Sequence, residues 1–250
     1  MEIAPGLHRL LGQPHHGVNA YLWLPRRGEP VLFDCGWPWS GKALATELRR
    51  LSCPPEALNI IAITHDDVDH SGRLAQLQTV SRAAVYAHEM ELPRLGRDHW
   101  RSVPGNSGPV NVIGAAAWAI YGRYPHPPVP GISPLCDGDE LPGGWMVVHT
   151  PGHTPGHAAY FHPALRALIA GDAIGPAYSG RLRAPQRAYL EDGIQAIASI
   201  HRLAALDPEI ICCGHGPVIR NGGAALRRLA EALPAPEASN ATYPSQSTIA

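Results

Sequence analysis

The sequence predicts two β-sheets, each covered by helices on its outer face, and three observations support this fold class. Short apolar runs bounded by turn residues dominate the chain, and such runs are typical of strands. Hairpin-like strands come first, and strands then alternate with helical patterns. The 26 Gly and 26 Pro residues exclude an all-helical bundle, because they would break its helices. The prediction is a layered fold of strands and helices.

The individual elements follow from local patterns in chain order. Apolar runs that end at turn-forming residues predict the strands Gly6–Leu11, Asn19–Leu24, Val31–Asp34, Asn59–Thr64, Ala84–Tyr86, Trp145–Thr150, Ala158–Phe161, Ala167–Ala170 and Glu209–Cys213. Apolar residues that recur at helical spacing predict the helices Lys42–Leu51, Gly72–Ser81, Glu191–Leu206 and Gly223–Leu233.

A single domain is predicted over residues 1–233, with an insertion at about 95–134 and a disordered tail over 234–250. The length of 250 residues suffices for one large core. The insertion is rich in Gly, Pro and aromatic residues, and we expect it to lie over a pocket. The tail is rich in Pro, Ser, Ala and Thr and has no periodicity, a composition typical of disorder.

Composition limits the partners and the compartment. The formal net charge of -1 gives no support to a nucleic-acid partner bound through bulk charge. No apolar run approaches the roughly 20 residues of a membrane helix, and the N-terminus lacks a secretory signal pattern. Five scattered cysteines without a CxxC pair predict reduced thiols. We therefore expect a cytoplasmic protein that acts on a small molecule. Its oligomeric state stays open, with a homodimer as one option, since aromatic residues of the insertion could form an interface.

The main chemical signal is a cluster of histidines and aspartates directly after the predicted strand Asn59–Thr64. Residues 65–70 hold five groups that can bind metal. His65, Asp67 and Asp69 can project to one side of an extended turn, and His70 joins them as a helix begins. One ion rarely uses so many neighbours, so the spacing suggests two adjacent ions. A solvated acidic helix cap is the alternative, but a cap needs one carboxylate and no histidine.

Three further strand ends carry metal-binding residue types. His153 lies in a loop fixed by Gly and Pro, Asp172 closes a hydrophobic strand, and His215 closes another. A lone Asp at the end of a strand usually forms a turn. Each of these strand ends is therefore a weak signal alone, and only the four together, including residues 65–70, indicate a metal site. His157 is either a ligand or a residue that hydrogen-bonds the loop.

Several other residues receive a plainer interpretation. Trp37 and Trp39 are expected to pack. The arginines Arg181, Arg183 and Arg187 either attract an anionic substrate or lie in a solvated loop. The remaining histidines are expected at the surface or in satisfied core positions, and they are His8, His15, His16, His88, His99, His126, His149, His162 and His201.

The order and spacing of these motifs resemble the metallo-β-lactamase fold superfamily of hydrolases, which includes glyoxalase II-like enzymes. The matching segments are Asp34-x-Gly36, Thr64-His65-x-Asp67-x-Asp69-His70, Gly152-His153-Thr154, Gly171-Asp172 and Gly214-His215-Gly216. They span positions 34 to 216 and are more specific for fold than for substrate. The resemblance implies an α+β protein built as an αββα four-layer sandwich, with a metal site at one edge between the sheets.

The resemblance also implies a set of roles for two divalent metal ions, most readily zinc, with manganese or iron as alternatives. His65 and His153 would bind the first ion, Asp172 would bridge both, and Asp69, His70 and His215 would bind the second. A hydroxide held between the ions would attack a carbonyl, and Asp69 would act as the catalytic residue that steers its proton.

One position departs from the family pattern. The usual loop reads His-x-His-x-Asp-His, and Asp67 stands where the second histidine is expected. If Asp67 binds metal, the site has one carboxylate more than usual, and the lower positive charge leaves the water between the two ions less acidic. A carboxylate in place of an imidazole also makes the site of the first ion favour manganese or iron. The competing interpretation is that Asp67 does not bind and the first position is empty or weak. We favour binding, because an aspartate retains the capacity to bind metal.

Three functions are compatible with this pattern. The first is hydrolysis of an ester, thioester or lactone in a binuclear site. The second is a mononuclear iron oxidoreductase that oxidises persulfides, with residues matching His65, His153 and Asp172 as ligands. The third is a metal-binding protein without turnover, for which Asp67 is the only argument.

Overall fold

The computed structural model describes residues 1–10, 17–95, 127–175 and 181–235. Most of the predicted insertion (residues 96–126) and most of the predicted tail (residues 236–250) lie outside these ranges. The same is true of His15, His16, His99 and His126. The division into one domain, an insertion and a tail therefore stays a prediction.

The first half of the chain forms a seven-stranded sheet in sequential order. Its strands are β1 Glu2–Ala4, β2 Leu7–Leu10, β3 Ala20–Trp23, β4 Val31–Phe33, β5 Ile60–Ala62, β6 Ala84–His88 and β7 Ser133–Leu135. Neighbours from β1 to β4 pair antiparallel, whereas β4 to β7 pair parallel. The parallel part aligns the carboxyl ends of β4 and β5 at one edge, where the loops that follow them can meet.

The second half forms a six-stranded sheet in the order β13-β12-β11-β10-β9-β8. Its strands are β8 Glu140–Leu141, β9 Trp145–His149, β10 Ala158–His162, β11 Ala167–Gly171, β12 Ile210–Cys213 and β13 Ile219–Arg220. Only β11 and β12 pair parallel in this sheet, so their carboxyl ends also share an edge.

Helices cover the outer face of each sheet. They are α1 Gly41–Arg50, α2 Val68–Ser71, α3 Leu74–Ser81, α4 Leu92–Leu95, α5 Gly193–Ala205 and α6 Gly222–Glu231. Leu44 of α1 and Leu77 of α3 pack in one core with outward residues of the first sheet. Ile200 of α5 and Leu226 of α6 pack in another core with outward residues of the second sheet. Burying an apolar stripe on each sheet is what holds these helices in place.

The third core lies between the two sheets. Tyr21 and Trp23 point into it, whereas Leu22 between them points to the helices, as the two-residue period of a strand requires. The Phe33 ring lies 4.7 Å from the Trp145 ring of the other sheet. Both faces of each sheet are buried, which explains the continuous apolar runs in the sequence. The αββα sandwich is therefore confirmed.

The structure corrects the sequence prediction at several elements. The predicted helix Gly72–Ser81 begins at Leu74, and a separate helical turn, α2, precedes it and carries Asp69 and His70. Four strands of two or three residues were not predicted, namely β1, β7, β8 and β13. Each of these four strands contains a polar residue or a proline, so none of them forms the continuous apolar run by which strands of similar length were recognised.

Candidate metal centre

All the predicted metal-binding side chains meet where the two sheets adjoin. Their ligand atoms form three overlapping groups, within each of which the atoms lie within 4.8 Å of one another. The groups are His65, Asp67 and His153; His65, His70 and Asp172; and Asp69, His70 and His215. Four of these residues follow β5, and the other three follow β9, β11 and β12. The overlap makes one elongated cluster with two ends.

At one end of the cluster, Asp67 points at the two histidines of its group. Its Oδ2 atom lies 3.0 Å from Nε2 of His153 and 3.6 Å from Nε2 of His65. All three residues are buried. Asp67 therefore occupies the place in which a third donor to a first ion would stand.

At the other end, Nε2 of His215 lies 3.5 Å from Oδ2 of Asp69 and 3.3 Å from Oδ2 of Asp172. Nε2 of His70 lies 3.5 Å from the other Asp172 oxygen, Oδ1. The approach of these groups needs a glycine at position 214, because a Cβ atom there would overlap Oδ1 of Asp172. Asp172 also faces the first end, with Oδ2 3.9 Å from Nε2 of His153.

Buried hydrogen bonds orient two of the histidines. Asp34, in a left-handed conformation with φ 58°, accepts from the backbone N and the hydroxyl of Thr64 and from Nδ1 of His70 at 2.8 Å. Because the Thr64 hydroxyl donates to Asp34, its oxygen accepts from Nδ1 of His65 at 2.9 Å. Both rings therefore carry their hydrogen on Nδ1 and direct Nε2 into the cluster.

His157 is held away from a ligand role by its own hydrogen bonds. Its Nε2 accepts from the backbone N of Asp172 at 3.0 Å, so its Nδ1 donates to Oγ1 of Thr150 at 2.7 Å. Burial, together with the neighbouring histidines, holds the pKa of His157 well below its usual value. Of the two predicted roles, this geometry matches a residue that hydrogen-bonds the loops. A side chain at Gly171 would displace it, because a Cβ atom there would lie 2.6 Å from Nε2 of His157.

Electrostatics favour a cation in this cluster. Burial alone would lower the pKa of His70, but the carboxylates of Asp172, Asp69 and Asp34 outweigh it and raise that pKa to about 10. The pKa of His215 is also raised, since Asp172 outweighs burial there. Burial would raise the pKa of Asp172, but His215 and His70 hold it well below its usual range. The carboxylates thus favour positive charge beside them.

The donor set fits a divalent metal ion. Among the described residues, Nε2 of His65, Nε2 of His70 and Oδ1 of Asp172 are buried without a hydrogen-bond partner. Buried polar atoms are normally paired, and these three converge on one another. Imidazole nitrogens with carboxylate oxygens are donors that zinc, iron and manganese accept.

The tryptophans, histidines and arginines outside the cluster were also singled out in the sequence, and the structure places several of them. The rings of Trp37 and Trp39 stack at 4.7 Å, although Trp39 remains 44% exposed. His88 stacks on His149 at 3.9 Å. His162 is buried beside Trp145 of the inter-sheet core. Arg181, Arg183 and Arg187 are exposed, which leaves both of their predicted roles open.

Sequence reasoning missed the orienting roles of Asp34, Thr64 and Thr150. Each of the three is the last residue of a predicted strand, and Asp34 and Thr64 also stand in the motifs that resemble the superfamily, but neither signal indicates a hydrogen bond to a histidine. The hydrogen bond between Asp34 and His70 spans 36 positions, so no local pattern indicates it.

Residues 14–215 match the family model described as the metallo-beta-lactamase superfamily. The chain belongs to this superfamily. The probable metallo-hydrolase YflN of Bacillus subtilis (strain 168) is 29% identical over 232 residues, which cover 86% of this chain and 85% of that protein. A hydroxyacylglutathione hydrolase of Dechloromonas aromatica (strain RCB) is 31% identical over 197 residues, which cover 78% of this chain and 57% of that protein.

A solved structure, described as TTHA1623 in a di-iron-bound form, superposes with a TM-score of 0.62. It is 29% identical and the match covers 83% of this chain and 92% of that chain. The predicted family and fold are therefore confirmed, and the chain is placed among the metallohydrolases of the metallo-β-lactamase superfamily. Within its described residues, this family member has no helix long and apolar enough to cross a membrane.

Proposed function

We propose that this chain is a binuclear metallohydrolase that attacks the carbonyl carbon of a small ester, thioester or lactone and cleaves its acyl C–O or C–S bond. One observation carries the proposal: the Asp172 carboxylate lies between two groups of possible donor atoms, with Oδ2 facing His153 and His215 and Oδ1 facing His70. A shared carboxylate between two sets of donors is what two adjacent ions require. The proposed ligands are His65, Asp67, Asp69, His70, His153, Asp172 and His215.

When bound, two divalent ions would supply the Lewis acidity that makes a hydroxide from water and polarises the substrate carbonyl. The residues of the chain do the remaining work. Asp34 and Thr64 hold the rings of His70 and His65 so that their Nε2 atoms face the cluster. Oδ2 of Asp69, 3.5 Å from Nε2 of His215, can hold the proton that the nucleophile releases.

Acyl compounds are the proposed substrate class because of the relatives. The protein of Dechloromonas aromatica is named for hydrolysis of hydroxyacylglutathione, in which the acyl group is carried by glutathione. We propose zinc as the metal, with manganese or iron as alternatives that the Asp67 carboxylate favours. The structure of TTHA1623, described as a di-iron-bound form, supports iron as one of these alternatives.

The first measurement is the metal content per chain, by elemental analysis of protein purified without added metal. We expect close to two ions, and we expect chelation to abolish ester, thioester or lactone hydrolysis until divalent metal is returned. Activity that persists after chelation would contradict the proposal. One iron per chain, with oxygen uptake on glutathione persulfide, would instead indicate the oxidoreductase.

A further inference from the structure

Glu91 is a buried carboxylate outside every motif of the metal cluster. It ends a one-turn helix, Glu89–Glu91, that follows β6, and its exposed fraction is 0%. Its Oε1 atom accepts from the Thr154 hydroxyl and from the backbone N of Gly156 at 3.0 Å. Its Oε2 atom accepts from the backbone N of Asp66 at 3.1 Å. A buried carboxylate is costly unless it is paired in this way, so these bonds are what keep Glu91 in place.

The three donors belong to the two loops that supply the first end of the cluster. Asp66 lies between His65 and Asp67, and Thr154 follows His153. One side chain therefore ties together the loops whose candidate ligands must meet, with Asp67 and His153 only 3.0 Å apart. The two loops follow strands of different sheets. The hydrogen bonds of Glu91 therefore connect the two sheets at the edge where the cluster lies.

Arg94, one turn further along the chain, makes a second link between the same two loops. Its Nε atom donates to Asp66 at 3.0 Å, and its two terminal nitrogens donate to Glu191 at 2.6 Å and 3.2 Å. The backbone N atoms of Glu191 and Asp192 both donate to the carbonyl of Gly152 at 2.9 Å. Through Glu191, Arg94 is therefore connected to the loop that carries His153. A bidentate pair between an arginine and a carboxylate holds the two side chains in a fixed relative orientation.

The second end of the cluster is held by different residues. His70 is oriented by Asp34, as described above. The loop with His215 is held by Asn19, whose backbone N donates to Gly214 at 2.8 Å and whose side chain donates to the carbonyl of Gly216 at 2.8 Å. The hydrogen bonds that Glu91 and Arg94 make, as described above, reach neither of these two supports.

We propose that Glu91 is a positioning residue that sets the geometry of the first metal site and leaves the second site unaffected. This inference rests on the proposed function, because it takes His65, Asp67 and His153 as one ion's ligands. Glutamine cannot replace Glu91, since each carboxylate oxygen accepts from a backbone N–H, Oε2 from Asp66 and Oε1 from Gly156, and an amide nitrogen can accept neither bond. The loss of either anchor should let the loop of Asp66 and the loop of His153 move apart.

The test is a cobalt(II) titration of metal-free full-length protein in two backgrounds. His215→Ala disables the second site and leaves the first, whereas His153→Ala does the reverse. We expect Glu91→Gln to weaken cobalt binding about 10- to 100-fold in the His215→Ala background, the range for residues that orient ligands. We expect no change in the His153→Ala background. The visible absorption of cobalt should shift only in the first background, because it reports the geometry of the ligands.

The matched control is Glu89→Gln, which changes an exposed carboxylate two positions away and should alter neither titration. Should Glu91→Gln fold poorly, Thr154→Val removes one of the same hydrogen bonds and should weaken first-site binding to a lesser degree. Equal weakening in both backgrounds, or a lower melting temperature with unchanged cobalt binding, would reduce Glu91 to a structural brace and overturn the inference. If neither histidine substitution affects cobalt binding, the proposed function itself is wrong, a result distinct from a failure of Glu91 alone.

Discussion

At the scale of single residues, the chemistry depends on where each imidazole carries its hydrogen. Asp34 and Thr64 hold hydrogens on Nδ1 of His70 and His65, and Thr150 does the same for His157. Nε2 of the first two rings faces the cluster of candidate ligands, whereas Nε2 of His157 accepts a backbone hydrogen bond. Three histidines close together in space thus have two different roles, and their hydrogen-bond partners decide which.

The raised pKa of His70 predicts that metal binding releases a proton. In the metal-free protein this pKa is about 10, above the ordinary histidine value, so at pH 8 the ring carries a second proton on Nε2. The charged ring stabilises the metal-free fold below its unfolded pKa, and this contribution is lost as pH rises through about 10. A metal must displace that proton, so its apparent affinity should rise with pH up to about 10.

Calorimetry of metal binding in buffers of different ionisation enthalpy measures the protons released. His70→Ala should release about one proton fewer at pH 8 than the unchanged protein, since the group that supplies it is gone. Equal release by both proteins would show that His70 is neutral before metal binds.

At the scale of elements, sequence patterns predicted the strands that lie in continuous apolar runs and missed the strands that do not. The strands near Val31, Ile60 and Ile210 were found because both of their faces are buried and their residues are continuously apolar. The edge strands β1 and β13 consist of three and two residues and were missed. That the candidate ligands lie close together could be predicted because each of them follows a predicted strand. Glu91 was missed because its partners lie 25 to 65 positions away.

Helix α5 provides a test of how its N-terminus is held. Oδ1 of Asp192 accepts from the backbone N atoms of Ile194 and Gln195 at 2.9 Å and 3.0 Å, which caps the helix. Asp192→Ala should therefore lower the free energy of unfolding by about 1 kcal/mol, measured by urea denaturation. Asp192→Asn is the matched control and should cost far less, since asparagine caps equally well.

The same cap should depend on pH. Burial would raise the pKa of Asp192, but the backbone N–H groups of Gln195 and Ile194, with the Gln195 side chain, lower it. A lowered carboxyl pKa stabilises the fold above the unfolded value, and the benefit is lost as pH falls through the folded value. The difference between Asp192→Ala and the unchanged protein should thus shrink in acid, and a constant difference would contradict the capping role.

At the scale of the whole molecule, the three cores decide which cysteines can react. Cys35, Cys53, Cys212 and Cys213 are buried, and Cys136 alone among the five is exposed. Adjacent Cys212 and Cys213 point into different cores, on opposite faces of the second sheet. Burial raises the pKa of the Cys213 thiol to about 12, which keeps it protonated and unreactive.

Thiol labelling of the native protein should therefore modify one cysteine per chain, against five after denaturation. Cys136→Ser should abolish the native reaction and leave four thiols in the denatured protein. Labelling should be slower than that of a free thiol at neutral pH, because Glu89 raises the pKa of Cys136. A second fast-reacting thiol would mean that one of the cores opens readily.

The seven candidate ligands come from both sheets, four after β5 in the first sheet and three after strands of the second. An ion held by His65 and His153 would fasten the N-terminal half of the chain to the C-terminal half, much as a disulfide joins distant segments. Metal supply would then affect the conformational stability of the sandwich as well as its chemistry. A chain without metal would open first where its two halves meet.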